Sequence, residues 1–180
     1  EGTKDLDEIF GKPVFAFPKP KNLIKYLAGL YINGKQNKDA IILDFFAGSG
    51  TTAQAVLELN KENEGRRKFI LCTNNEDNNG DGLKIATDIC YPRIKKVIQN
   101  IEKESEGKLV NNKPGNLKYF KTELLDIEHI SHVSDEQKIK LTYQAGDMIA
   151  LREGTFEEVE KNEWWQIFKD GTKYTAIYFK

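Results

Sequence analysis

The stretch Ile41–Gln54, Ile-Ile-Leu-Asp-Phe-Phe-Ala-Gly-Ser-Gly-Thr-Thr-Ala-Gln, constrains this chain more than any other. Ile41-Ile42-Leu43 is too short for a helix and β-branched enough for a buried strand, placed at 41–45. Asp44 ends the apolar run, and Ala47-Gly48-Ser49-Gly50 makes a turn of small residues. Thr51-Thr52 then leads into the helical spacing of Ala53, Ala55, Val56 and Leu59, a helix over 51–62. Strand, acid, glycine turn and helix form a cradle for a nucleotide-like ligand. Glycines let the backbone approach closely, and the helix start offers free N–H groups and the positive end of its dipole.

Repeats of this layout set the fold class. Gly65 is the expected C-cap of the first helix, and Phe69-Ile70-Leu71-Cys72 reads as a second buried strand. A polar loop, Thr73–Gly82, follows with turn pairs Asn79-Gly80 and Asp81-Gly82. Ile85, Ile89, Ile94, Val97, Ile98 and Ile101 then share a helical side, which Pro92 kinks or splits. A polar loop is expected over 102–116, and a third strand at Leu117–Lys121. The βαβα order predicts an α/β fold with parallel strands.

Upstream, residues 1–12 show little pattern, and Phe15–Pro20 is an extended or turn segment because Pro18 and Pro20 forbid a helix. Leu23, Ile24, Leu27, Leu30 and Tyr31 predict a helix over 21–31, and a polar connector spans Gly34–Asp39. Lys12–Lys38 holds six lysines and no acid, either a solvated helix face or a contact with phosphate or carboxylate. Beyond Asp126 acids become frequent. A weak helical pattern covers Gln137–Leu151, and strands at 164–169 and 174–179 form a hairpin about Lys169-Asp170-Gly171-Thr172. The predicted domains are 1–125 and a small α+β extension at 126–180.

Composition excludes several classes. At 180 residues, 39% hydrophobic and 31% charged, the chain can bury a core, and a net charge of −1 argues against a uniformly basic nucleic-acid binder. Cys72 and Cys90 give no disulfide framework, and no run reaches the roughly 20 apolar residues of a membrane span, so a cytoplasmic location is expected. The chain opens Glu1-Gly2-Thr3, has Met148 as its one methionine and ends on a strand-like run, which reads as a piece of a larger protein. His129-x-x-His132 has metal-ligand spacing but no further ligand nearby, so polar surface is favoured. Cys72 reads as a buried inert thiol, and Trp164-Trp165 as one core and one surface residue.

Three cradles compete at the glycine turn. A phosphate loop needs Gly-Lys-Ser/Thr, and Gly50 is followed by Thr51 instead. A dinucleotide fingerprint finds two of its glycines, with Ala53 at the third position. An S-adenosylmethionine cradle needs a polar strand end for the ligand's amino-acid part and a tight turn against its nucleoside.

Leu43–Thr52 resembles the cofactor motif Asp-Pro-Phe-x-Gly-Ser-Gly-Thr-Thr of the amino-methylating DNA methyltransferases, with Phe45 in place of proline. Phe17-Pro18-Lys19-Pro20-Lys21-Asn22-Leu23-Ile24 is similar to the Lys-Pro-x-x-Leu segment that precedes this motif in one circular order of the family. Arg66–Leu71, Ile89–Ile94 and Gly115–Phe120 most resemble the modification subunit of type III restriction–modification systems. The resemblance spans roughly 13–125.

It implies a partial Rossmann-like methyltransferase fold, the cofactor-binding half, with S-adenosylmethionine as cofactor. Asp44, Phe46, Ala47, Gly48, Ser49 and Gly50 would line the cofactor. Thr51 and Thr52 would cap the helix and donate to the cofactor carboxylate, while Phe17 and Lys19 would close the pocket. Glu76, with Asn74 as rival, would take the ribose hydroxyls. Implied partners are double-stranded DNA, a restriction subunit and a second copy. The family's catalytic Asp/Asn-Pro-Pro-Tyr/Phe motif is absent, since Pro13, Pro18, Pro20, Pro92 and Pro114 include no adjacent pair. In this order of the family that motif lies upstream, so the chain is expected to be inactive alone. The rival readings are a non-catalytic α/β interaction module, or part of a stand-alone or cytosine amino-methyltransferase.

Overall fold

A computed structural model describes residues 1–32, 37–77, 80–105, 115–122 and 134–179. Contacts divide the chain into two compact units, Glu1–Tyr119 and Phe120–Lys180. Asp126, His129, His132, Asn79 and Pro114 lie outside the described residues, as does most of the 102–116 loop.

The first unit is mixed α/β. Its elements are α1 (Gly2–Phe10), α2 (Lys21–Ile32), β1 (Ile41–Asp44), α3 (Thr51–Asn63), β2 (Lys68–Leu71), a π-helical turn (Ile85–Cys90) and α4 (Tyr91–Ser105). β1 and β2 are parallel, with Ile42 opposite Phe69 and Asp44 opposite Leu71. Helix α1 forms where little pattern is visible: Leu6, fully buried, joins Val14 and Ile89 in a small core. Ile9 and Phe10, three and four residues after Leu6, pack against the two buried clusters, so α1 docks through a short apolar stripe set among charged neighbours. Pro92 is tolerated in the first turn of α4, where its missing N–H costs no helical bond. α4 then continues to Ser105, into the stretch expected to be loop.

The main core lies between α3 and α4. Ala53, Leu57, Cys90, Ile94, Val97 and Ile98 are buried, with Phe69, Leu71 and Leu117 packed against them. At about 1.5–3 kcal/mol per fully buried Leu, Ile or Val side chain, this helix pair holds the unit together more than the sheet does.

The sheet differs from expectation. Residues 117–121 make no strand, so among the described residues β1 and β2 form a two-stranded sheet, with one face packed on the core. Phe69 and Leu71 face the core, whereas Ile41 and Leu43 remain 64% and 51% exposed. Cys72, expected in the core, is exposed beyond the end of β2. The end of α3 also differs: Glu64, not Gly65, takes the left-handed C-cap conformation (φ 54°). A Cβ at Gly65 would lie 2.1 Å from Arg67 Nη1, so the Arg67 side chain, held by Asn60 and Asn63, would have to shift.

α2 occupies the expected span with inverted polarity. Leu23, Tyr26, Leu27, Leu30 and Tyr31 are exposed. Lys21 and Lys25 turn toward α3, pairing with Glu58 at 3.1 and 3.6 Å, and Lys25 also pairs with Glu62. The lysine-rich stretch thus spends two of its charges on helix-to-helix ion pairs rather than on a solvated face.

In the second unit α5 (Asp135–Glu153) starts with a reciprocal capping box between Ser134 and Gln137 and ends at Gly154. An antiparallel sheet follows, β3 (Glu157–Lys161), β4 (Trp165–Asp170) and β5 (Lys173–Tyr178), in that order. The hairpin turn places Gly171 at φ 58°. β3 was not foreseen, because Glu157-Glu158-Val159-Glu160-Lys161 is too polar to read as a strand; it is an exposed edge. Trp164 and Trp165 are both exposed, contrary to the core-and-surface split. The Trp165 indole N–H donates to Glu160 Oε1 at 2.8 Å instead of entering a core. Among the described residues no helix is long and apolar enough to cross a membrane.

Candidate functional site

The turn after β1 is fixed by its own polar groups. Asp44 uses both carboxylate oxygens locally: Oδ1 accepts from the Phe46 N–H (3.0 Å) and Oδ2 from the Thr52 hydroxyl (2.5 Å). Across the strand ends, the Cys72 N–H donates to the Asp44 carbonyl (2.8 Å) and the Ala47 N–H to the Cys72 carbonyl (3.1 Å). The Gly50 N–H closes the turn onto the Ala47 carbonyl at 2.8 Å. Gly48 and Gly50 both sit in the left-handed region, φ 50° and 79°, where glycine is the least strained residue.

Gly50 is itself the N-cap of α3, without a side-chain capping bond, so Thr51 and Thr52 do not cap the helix as expected. Both hydroxyls point backward instead, Thr52 to Asp44 and Thr51 to the Lys19 carbonyl (3.3 Å). The left-handed N-cap turns the chain so that the first-turn threonines meet the strand end and the upstream segment.

These contacts bring the upstream segment to the turn. A Cβ on Gly2 would lie 2.1 Å from the Pro18 carbonyl oxygen, so α1 presses directly on the Phe17–Pro20 backbone. Asp5 Oδ2 accepts from the Lys21 N–H at 3.1 Å, capping α2 from α1. Phe17 and Phe46 are left 87% and 93% exposed, and Lys19 is exposed too. The N–H groups of Gly48 and Ser49 bond to no acceptor among the described residues. Unpaired N–H groups beside a helix start favour an anion such as a carboxylate; Ser49 itself is 3% exposed.

Glu76 and Asn74 lie together on the loop after β2, Asn74 Nδ2 donating to Glu76 Oε2 at 2.9 Å, so the two rival ribose ligands share one polar cluster. Asn75, between them, caps the π-helical turn through the Ala86 and Thr87 N–H groups (3.1 and 3.0 Å). A cavity of about 380 Å³ is lined by Asp5, Lys21, Gln54, Glu58, Lys61 and Glu104 among others and includes none of residues 44–52. Its walls include the ion pairs Lys21–Glu58 and Lys61–Glu104, whereas the unpaired N–H groups belong to the glycine turn. Among the described residues no group of three or more His, Cys, Asp or Glu side chains could hold a metal.

Sequence reasoning missed Arg93. It is wholly buried, and its guanidinium meets Ser49, Thr51 and Gln54. A signal existed: Arg93 is a charge at the helical spacing of Ile89 and Val97 on an otherwise apolar face. Burial pulls its pKa down to about 10, with Asp5, Cys90 and Glu58 opposing, so it stays a cation at neutral pH. Burial pushes the neighbouring Cys90 thiol up to about 11, only partly countered by Arg93.

With this geometry in place, comparisons place the chain among known proteins. Residues 3–78, from α1 to the loop after β2, match the DNA methylase family model. The chain is 44% identical over 107 residues to the type III restriction-modification enzyme StyLTI Mod subunit of Salmonella typhimurium, covering 56% of this chain and 16% of that protein. It is 40% identical over 107 residues to the EcoPI Mod subunit of Escherichia phage P1, covering 57% and 16%. It is 39% identical over 104 residues to the type II methyltransferase M.KpnI of Klebsiella pneumoniae, covering 54% and 24%. The matched part spans about one sixth to one quarter of these relatives' length. The resemblance to type III modification subunits read from the motifs holds over about half of the chain.

Proposed function

We propose that this chain is the S-adenosylmethionine-binding part of a DNA adenine amino-methyltransferase of a restriction–modification system, with a partial Rossmann-like fold. The observation that carries the reading is the turn itself: two left-handed glycines between a parallel strand and a helix, with the Gly48 and Ser49 N–H groups unpaired among the described residues. The family match over 3–78 includes this turn and the Phe17–Lys19 segment.

Bound there, the cofactor supplies a methyl group activated on a sulfonium. The residues of this chain bind and orient it. The Gly48 and Ser49 N–H groups receive the amino-acid carboxylate. Asp44, Phe46, Ala47 and Gly50, braced by Thr51 and Thr52, shape the wall, and Phe17 and Lys19 close it from the upstream segment. Glu76, or Asn74 beside it, takes the ribose hydroxyls. No adjacent prolines supply the family's Asp-Pro-Pro-Tyr element, so the chain does not transfer methyl groups by itself.

The open apolar surface supports a role within a larger domain. Ile41, Leu43, Phe45, Phe46 and Ile70, near β1 and β2, and Leu23, Leu27 and Leu30 on α2 are all exposed, and apolar surface of this kind commonly packs against other protein. In the reading proposed, the remainder of a methyltransferase covers it, and that larger protein engages double-stranded DNA, a restriction subunit and a second copy.

Isothermal titration of the chain with S-adenosylmethionine tests the reading. Weak saturable binding is expected, weakened further in Asp44→Ala, which frees Thr52 and the Phe46 N–H. Clean binding of NAD in its place contradicts it.

A further inference from the structure

Arg93 is a cation with no exposed surface, and no carboxylate among the described residues ion-pairs with it. Its Nε donates to Gln54 Oε1 at 2.9 Å. Nη1 faces three acceptors, the Ser49 carbonyl (3.2 Å), Ser49 Oγ (2.9 Å) and Thr51 Oγ1 (2.9 Å). Nη2 is buried without a partner among the described residues.

The protons in this cluster can be assigned by elimination. Thr51 has one hydroxyl proton, and the Lys19 carbonyl, an acceptor only, takes it. The lone pairs of Thr51 therefore face Arg93 and Ser49, and across the 3.3 Å contact Ser49 is the donor. Gln54 relays the charge outward: it accepts from Arg93 and donates from Nε2 to Glu58 Oε1 (3.0 Å), which also holds Lys21. One guanidinium on α4 thus organises the glycine turn, the start of α3, the upstream segment and, through Glu58, α2.

A merely structural demand would not choose this residue. Burying a guanidinium is costly, and an apolar side chain of similar length packs such a site at lower cost. The charge brings several directed donors to the backbone and hydroxyls of the turn, which an apolar group cannot do.

We propose that Arg93 is the positioning residue of the glycine turn, holding from behind both the Ser49–Thr51 backbone and, through the Thr51 hydroxyl, the Lys19 carbonyl. The two walls of the cradle are locked in one register by a side chain that touches no ligand. Its role toward a ligand rests on the function proposed above; its role in the turn does not.

The test uses the full chain with Arg93→Met, and Val97→Ala as a control core variant on the same helix. Backbone hydrogen exchange is read at Gly50 and Gln54, whose N–H groups bond to Ala47 and Gly50. In Arg93→Met these amides exchange about tenfold or more faster, while Val97→Ala changes them no more than its loss of global stability requires. Exchange within about twofold of the parent in Arg93→Met, or a change matched by Val97→Ala at equal stability, overturns the proposal. If Arg93→Met does not melt cooperatively, Thr51→Val carries the test: it removes the shared hydroxyl while keeping shape, and faster exchange at Gly50 and Lys21 is expected, an unchanged rate being the contrary result. Titration with S-adenosylmethionine separates the two claims. A parent chain that does not bind defeats the proposed function and leaves the exchange result to decide the role of Arg93. A parent that binds, with unchanged affinity in Arg93→Met, defeats the role of Arg93 toward the ligand, while the exchange result decides its role in the turn.

Discussion

Replacing Gly50 with alanine probes the turn most sharply, because two separable costs fall on one atom. The first is conformational: Gly50 has φ 79°, and an L-residue in the left-handed region costs about 1–2 kcal/mol. The second is steric: the new Cβ would lie 3.0 Å from Cys90 Sγ and 3.4 Å from the Cys90 carbonyl oxygen. Cys90 is buried against Ala53 and Ile94 and has nowhere to swing, so overpacking adds about 1–3 kcal/mol. The sum is roughly 2–5 kcal/mol, a fall in midpoint on the order of 10 °C for a unit of this size. Trp164 and Trp165 both lie in the second unit, so unfolding of the first is followed by far-UV circular dichroism in urea. Repeating the substitution in a Cys90→Ala background removes the sulfur contact and leaves the backbone cost. A double-mutant cycle therefore returns a coupling of about 1 kcal/mol or more. A single-substitution cost below about 0.5 kcal/mol refutes the left-handed turn. An unchanged cost in the Cys90→Ala background refutes the close approach.

Three further outcomes follow from the same geometry. A thiol reagent at neutral pH labels exposed Cys72 quickly and buried Cys90 slowly; since the folded state raises Cys90 from 9.0 to about 11, the stability gained by keeping it neutral is full below about pH 9 and lost as pH rises through about 11. The urea midpoint should fall more steeply over that window in the parent than in Cys90→Ala. Gln166→Met removes a buried amide whose O and N have no partner among the described residues, so tryptophan fluorescence should report the second unit stabilised by about 1–3 kcal/mol, and a lowered midpoint contradicts the assignment. Glu58→Gln takes the shared charge from Lys21 and Lys25, costing about 1 kcal/mol at low salt and flattening the salt dependence of stability; a parent insensitive to salt argues against these pairs.

What the sequence shows well is what local chemistry dictates. Strand, glycine turn and helix at 41–63, the helix from Lys21 and the split at Pro92 all follow from spacing, glycine and proline, and the structure places them within a residue or two. The residue types of the glycine turn were legible for the same reason. What the sequence hides are properties of partners. An apolar run such as Ile41–Leu43 looks buried whether or not a neighbouring strand covers it. α2 looks conventionally amphipathic, yet its ion pairs with Glu58 and Glu62 turn its lysines inward. The stripe of helix α1, Leu6, Ile9 and Phe10, is too short among its charged neighbours to stand out in the sequence, and its tertiary contacts give it meaning. Thr51 and Thr52 carry the composition of capping residues, and only the left-handed φ at Gly50 sends their hydroxyls elsewhere. Arg93 was obscured because a charge on an apolar helix face gains its meaning only when Ser49, Thr51 and Gln54 converge on it.

The central claim is that the Gly48–Ser49 turn receives the amino-acid end of S-adenosylmethionine. Amide ¹H–¹⁵N spectra of the chain titrated with that compound test it most directly. Saturable shifts centred on Gly48, Ser49 and Gly50, with smaller ones at Phe17 and Glu76, are predicted. Shifts absent from the turn at saturating ligand, or reproduced there by NAD, contradict it.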